Sequence, residues 1–468
     1  MTSSLPLLYA ARRERLAAAL GPRAVAVVPT APEQTRNRDG EFPYRHDSYF
    51  YYLTGFTEPG ATLVVRTDAA GGVHSTLFCR AKDEAREIWT GYRLGPAAAP
   101  AALGVEAALP ADALDSELPT LLDGAEVVAY PFATHAGLES QVAGWLDALR
   151  ARVRQGAVVP VRLQDACAVL DEMRLVKDTH ELAIMRRAAA ISAGAHVRTM
   201  QRCAALLRRG EDVREYTLDA ELAHEFRRHG SQFPAYTSIV AAGSNACVLH
   251  YAAGSTPVRA GELVLIDAGC ELDGYASDIT RTFPADGRFT GPQRAVYDLV
   301  LASQQAAVAA IRPGARFDDA HEATVAVLAQ GLLDLKLLDA NRVGSAQDVI
   351  ATRAYQRFYM HRTGHWLGMD VHDCGSYVEP SEADRVQVRT DPLTGHTVRE
   401  RPSRILQPGM VTTVEPGLYI RPGDDVPEAY WHIGIRIEDD AVVTPTGCEL
   451  ITRDVPVDAD AIEALMRG

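Results

Sequence analysis

Between residues 23 and 165, short apolar runs (Ala24 to Val28, Ala61 to Val65, Thr76 to Phe78, Val127 to Ala129) are interleaved with stretches such as Leu138 to Arg150, whose apolar positions recur at helical spacing. Buried strands alternating with amphipathic helices predict an α/β layer structure. Ahead of it, Arg12 to Leu20 is amphipathic and closed by Gly21-Pro22, which predicts an ordinary first helix rather than an organellar presequence. Ala97 to Ala102 reads as a loop or a helix start.

Around 160 to 178 the pattern changes. A Val-Pro-Val segment leads into one helix, and Arg174-Leu175-Val176-Lys177-Asp178 opens another in which Leu182, Met185, Ala189 and Ile184, Ala188, Ile191 share a face. With Asp178 or Thr179 as its N-cap, this helix sets a domain boundary at 174, giving domains 1–173 and 174–468. In the second, helices near 179–205, 213–229, 291–311 and 316–333 frame strand-like runs at 262–269, 275–283, 410–420 and 432–443. This predicts an α+β domain with helices covering an antiparallel sheet. Residues 378–404 stand apart: charged stretches on either side of Asp391-Pro392-Leu393-Thr394-Gly395 predict a solvated β-hairpin excursion.

Composition narrows the functions open to such a chain. Its 468 residues suffice for two or three domains with their own cores. Lys+Arg 47 against Asp+Glu 61 gives −14, and lysine occurs only at Lys82, Lys177 and Lys336, so no basic run exists to bind nucleic acid or an anionic membrane. Seven scattered cysteines, never spaced Cys-x-x-Cys, read as reduced thiols of a cytoplasmic protein. Arg12, Arg13, Glu14 and Arg15 stand where a signal peptide needs an apolar core, and no stretch nears the roughly 18 apolar residues of a membrane span, so neither export nor insertion is expected.

The chemistry gathers late in the chain. Asp267 ends the apolar run Leu263-Val264-Leu265-Ile266, where a carboxylate needs a cation or several donors. If Asp273-Gly274 is a two-residue hairpin turn, residue 267 faces 280, and Asp278 is its diagonal neighbour on the same face. Two such carboxylates raise each other's pKa unless a positive charge intervenes; a divalent metal is one answer, and turn capping or pairing with arginine is another. Between Met360 and Asp373, three imidazoles, His361, His365 and His372, fall within twelve residues, a density that points to a site. Glu415 sits on an apolar strand before Pro416, which limits further pairing. Ile433 to Asp440 alternates so that Arg436 and Glu438 project together, as a surface ion pair or into a site.

In that order and in those motifs, Asp267, Asp278, His365, Glu415 and Glu438 resemble the dinuclear metal site of the methionyl and Xaa-Pro aminopeptidase superfamily, whose fold is called pita bread. The resemblance covers nearly the whole chain and is closest to the bacterial aminopeptidase P group; Tyr44 to Phe56 and Glu87 to Gly95 resemble that group's non-catalytic N-terminal domain. It implies a metallo-aminopeptidase that removes an N-terminal residue when proline is second. Asp267 would chelate one metal, Asp278 and Glu438 would bridge both, and His365 with Glu415 would complete the second. A donor set of oxygens with one imidazole suits Mn²⁺, with Co²⁺ or Zn²⁺ as alternatives. The implied nucleophile is a metal-bridging hydroxide, with Glu415 as general base and His250 and His372 beside the substrate as donors to the oxyanion. His361, Tyr419 and Arg436 match residues lining the family's proline pocket, His361 counting among the catalytic histidines. Tyr236 matches a residue near the one preceding proline, and Trp89 one that reaches a neighbouring subunit's site or, failing that, a core aromatic. A homo-oligomer, dimer or tetramer, is also implied. Rivals are a proline dipeptidase, a metal-free creatinase-like hydrolase and a non-catalytic binding relative; the five intact ligand types speak against the last two. The stretch from His372 to Glu415 is longer than the family pattern, and the excursion fills it.

Overall fold

The computed structural model describes residues 5–467, and the chain divides into two compact units that part between Met173 and Arg174. The first is built on a six-stranded mixed sheet, in the spatial order Ala107–Pro110, Val73–Cys79, Thr62–Thr67, Ala24–Pro29, Val127–Tyr130 and Arg162–Asp165. The three central strands pair antiparallel and the outer ones join parallel, as helical crossovers require. Leu118, Leu122, Val142 and Trp145 of helices Leu114–Leu122 and Leu138–Arg150 close one sheet face over Val25, Val27 and Val128. The Ala-rich stretch becomes the short helix Ala99–Leu103. The short helix Glu84–Thr90 buries none of its residues: Ile88 is 81% and Trp89 86% exposed, so Trp89 is no core aromatic.

In the second unit Asp178 caps the 30-residue helix Thr179–Arg208, accepting from the backbone of His180 and Glu181 while Glu181 returns a bond to Asp178 N. Helices Glu215–Arg228, Gly291–Ala310 and Phe317–Asp334 follow. All strand pairs here are antiparallel, but the sheet is broken into pieces: Ile239–Ala242, Leu263–Asp267 and Thr280–Pro284; Val411–Val414, Asp439–Val443 and Cys448–Leu450; and the pair Gly417–Ile420 with Ile433–Arg436. The runs 410–420 and 432–443, expected to be continuous, each break at a carboxylate, the first at Glu415-Pro416 and the second at Ile437-Glu438. The breaks face each other, because Val414 pairs with Asp439 and Gly417 with Arg436.

The excursion's hairpin is narrower than its sequence suggested, Gln387–Thr390 against Thr397–Glu400, and mostly exposed. At its base Val378 bridges Ser403. At the start of this unit, buried Arg174 and Lys177 both hold Asp373, at 2.6 and 2.9 Å, and so tie the unit's first residues to the histidine-rich loop. All seven cysteines are free, and no helix of the described residues is long and apolar enough to cross a membrane.

Candidate metal centre and active-site cleft

Asp273 and Gly274 form the two-residue turn, both at positive φ, and the register that follows pairs Leu272 with Tyr275 and Asp267 with Thr280. Asp278 falls in the unpaired step between the return strands Tyr275–Ala276 and Thr280–Pro284. There the chains nearly touch: a Cβ on Gly269 would lie 1.7 Å from the Ser277 carbonyl oxygen, so only glycine lets the Asp267 and Asp278 segments close. The phenol of Tyr236 lies between their carboxylates, 2.6 Å from Asp267 Oδ1 and 2.5 Å from Asp278 Oδ1. Burial, followed by the charges of Asp267, Asp278 and Glu438, raises its pKa well above that of a free phenol.

His365 and Glu415 are brought in by a second zipper. Residues 363–366 run along the Val411–Val414 strand, with Thr413 N donating to His365 O at 3.0 Å and Glu415 N to Thr363 O at 2.7 Å. Gly364 permits this, since a Cβ there would meet the Thr413 carbonyl oxygen at 2.1 Å. Glu438 arrives from the facing break: its N–H donates to Thr280 O at 3.0 Å and its Oε2 accepts from the Thr280 hydroxyl at 2.6 Å. Arg436 and Glu438 are 3% and 2% exposed, so the surface-strand reading of this segment is wrong. Arg436 donates to Asp267 Oδ2 at 2.6 Å, to the Tyr419 hydroxyl at 2.8 Å and to Thr280 Oγ1 at 3.2 Å.

One cleft of about 900 Å³ is lined by Tyr236, His250, Asp267, Asp278, His361, His365, His372, Glu415, Arg436 and Glu438. Two expected site residues lie elsewhere. Tyr419, 1% exposed, stands behind the wall and links Arg436 to His361; Trp89 belongs to the other unit. The pattern reading missed Thr280, which supports both Glu438 and Arg436, and Asp440, whose Oδ2 accepts from Asp278 N at 3.1 Å. It also missed Phe317, Tyr377, Arg401 and Ser403 in the lining, the last three at the base of the excursion.

Hydrogen bonds fix the tautomers. His365 Nδ1 lies 2.9 Å from Trp366 O and must donate to it, which leaves Nε2 directed at Asp278 Oδ2 (3.5 Å) and Glu415 Oε1 (3.7 Å). In the same way His361 Nδ1 donates to Arg362 O, so His361 Nε2 accepts from Tyr419. Burial lowers the His361 pKa to about 4, with Arg436 acting in the same sense.

The carboxylates are crowded and short of positive charge. Burial raises Glu415 to about 7, against the pull of His365 and Arg436 and with the push of Asp278 and Asp267. Burial and the neighbouring acids lift Glu438 well above its ordinary value, and Asp278 is also raised. His365 rises to about 9: burial alone would lower it, and Asp278 and Glu415 together outweigh that. Ligand atoms of Asp278, His365 and Glu438 all lie within 4.8 Å of one another. An imidazole nitrogen and several carboxylate oxygens converge here, with the Arg436 guanidinium drawn against Asp267. This donor set fits divalent cations, with Thr280, Tyr236 and Trp366 O holding the ligands from behind.

The family model for metallopeptidase family M24 matches residues 183–445, and that for the aminopeptidase P N-terminal domain matches 9–130. The chain belongs to metallopeptidase family M24. Within the family it is 44% identical to the Xaa-Pro aminopeptidase of Escherichia coli over 97% of this chain and 96% of that protein. Among solved structures, a Pseudomonas aeruginosa aminopeptidase superposes with a TM-score of 0.90 at 44% identity, covering 100% of this chain and 99% of that one. A zinc-substituted E. coli aminopeptidase P in complex with product gives 0.90 at 43% identity, covering 99% and 98%.

Proposed function

We propose that this chain is a metal-dependent Xaa-Pro aminopeptidase, releasing the first residue of peptides whose second residue is proline. The observation that carries the reading is the convergence of Asp278, His365 and Glu438 within 4.8 Å, beside Asp267 and Glu415, on the floor of one cleft. Asp267, Asp278, His365, Glu415 and Glu438 are the residues that would hold two divalent ions, and their four carboxylates balance the charge of two divalent cations. Oxygen donors with one imidazole favour Mn²⁺. When bound, the ions supply Lewis acidity, which brings the pKa of a water toward neutrality and polarises the scissile carbonyl.

The chain's own groups do the rest. Glu415 takes the proton of the attacking water and delivers it to the proline nitrogen as the C–N bond breaks. His250 and His372 line the cleft and donate to the developing oxyanion, a role worth ~10²–10³ in rate per donor. Arg436, through Tyr419, fixes His361 as a neutral ring that packs against the pyrrolidine. Tyr236 sits beside the residue before proline. Trp89, exposed on its helix, is available to the site of a second copy in a homo-oligomer.

The test is release of the N-terminal residue from Xaa-Pro, Xaa-Pro-Yaa and Xaa-Ala-Yaa, with metal stripped and then Mn²⁺ restored. Mn²⁺-dependent cleavage of Xaa-Pro-Yaa with Xaa-Ala-Yaa spared is expected. Cleavage of the dipeptide alone would make the protein a proline dipeptidase, and silence throughout would refute the enzymatic reading.

A further inference from the structure

A second cavity, of about 880 Å³, lies beside the cleft and shares Asp318, His361, Arg362, Arg401 and Ser403 with it. One wall is the excursion, through Arg385, Gln387, Arg389 and Glu400; another is the N-terminal part of helix Phe317–Asp334. A volume of this size accommodates several residues of extended peptide.

Most of its charge is already spoken for. Arg316 pairs with Glu382 at 2.6 Å, Arg353 with Asp391 at 2.8 Å, Arg362 with Asp318, and Arg389 with Glu400. Arg401 differs. Its Nε donates to Ala383 O at 2.8 Å, which holds the stem, and among the described residues its two Nη groups meet no carboxylate. A planar guanidinium with both Nη groups open, standing where the two cavities join, has the geometry to accept a carboxylate bidentately.

We propose that the peptide beyond proline leaves the cleft through this second cavity and that Arg401 binds a carboxylate on it. The inference rests on the Xaa-Pro reading above, and the direction follows from it: Tyr236, beside the residue before proline, lines only the first cavity, whereas His361, against the proline ring, lines both. The carboxylate is either the chain terminus of a tripeptide or an acidic side chain at the third position.

The experiment compares kcat/KM for Xaa-Pro-Ala, its C-terminal amide and Xaa-Pro-Glu-amide, in the wild type, Arg401→Gln and Arg401→Lys. The free acid should exceed the amide by about fivefold in the wild type, the scale of one partly exposed charge pair. This ratio should fall to about one in Arg401→Gln and recover in part in Arg401→Lys. A preference regained by the Glu-amide assigns the carboxylate to a side chain, and one confined to the free acid assigns it to the terminus. Calorimetric titration with Pro-Ala and Pro-Ala-amide gives the same comparison without turnover. Equal rates for acid and amide in the wild type, or a ratio that survives Arg401→Gln, would overturn the assignment while leaving the Xaa-Pro activity standing; no cleavage of any Xaa-Pro peptide would instead strike the underlying reading.

Discussion

Returning metal to the stripped protein should expel protons, and their number can be worked from the site. Without metal, Glu438 titrates well above the carboxylate range, Glu415 at about 7 and His365 at about 9. At pH 7 that amounts to one proton on His365 and about half of one on Glu415, roughly 1.5 together, to which the raised Glu438 can only add. Cations bind ionised carboxylates and a neutral imidazole, so loading at pH 7 should release at least about 1.5 protons, and apparent affinity should fall by at least about that many decades per pH unit just below 7. Titration calorimetry with Mn²⁺ in buffers of small and large ionisation enthalpy reads the number directly. The same shifts set stability. His365, raised from 6.5 to about 9, lends the fold stability that is full below 6.5 and lost as pH rises through 9. Between pH 7 and 9 the stripped protein should therefore lose about 2 kcal/mol through this residue, and the loaded protein should not. Release of less than about half a proton would mean that the acids are already ionised when empty and that burial and repulsion do not raise them.

Other outcomes follow from single residues. Glu415→Gln should retain metal yet lose about 10²–10⁴ in kcat, read by peptide turnover alongside metal content; full activity would remove Glu415 from proton transfer. Arg436→Met strands the Asp267 carboxylate and should cost the stripped protein about 3–5 kcal/mol in denaturant unfolding, with a loss below about 1 kcal/mol counting against the pairing. His321, whose pKa burial lowers to about 4, is neutral in the fold, so its contribution is intact above 6.5 and declines as pH falls toward 4. His321→Asn should abolish about 2 kcal/mol of the wild type's stability loss between pH 7 and 5.

Local pattern made much of this molecule legible. The Asp273-Gly274 turn and the apolar run before it were enough to pair Asp267 with Thr280, because a two-residue loop leaves one register. The N-cap at Asp178 was legible for the same reason: cap and helix are neighbours in sequence. What stayed hidden is polar and remote. Thr280 meets Glu438 across 158 positions, Arg436 meets Asp267 across 169, and Arg174 meets Asp373 across 199. No periodicity encodes such partners. At Glu415 only Pro416 signalled a limit to pairing, and the break at Glu438 escaped notice altogether, since an apolar run looks continuous whether or not its ladder is interrupted. Arg401 went unremarked because its significance depends on its neighbours' charges being satisfied elsewhere.

The two hairpins beside the cleft differ in what they allow heredity to change. One residue added to the Asp273-Gly274 turn would turn every side chain of the return strand to the opposite face and carry the Asp278 carboxylate out of the site. That loop is a ruler, and the site depends on its length as surely as on the ligands themselves. The excursion meets the cleft only at its base, where Val378 bridges Ser403, so residues can enter or leave its tip while Tyr377 and Ser403 stay in place. Insertions and deletions, which would ruin the floor of the site, can thus remodel its outer wall in a single event.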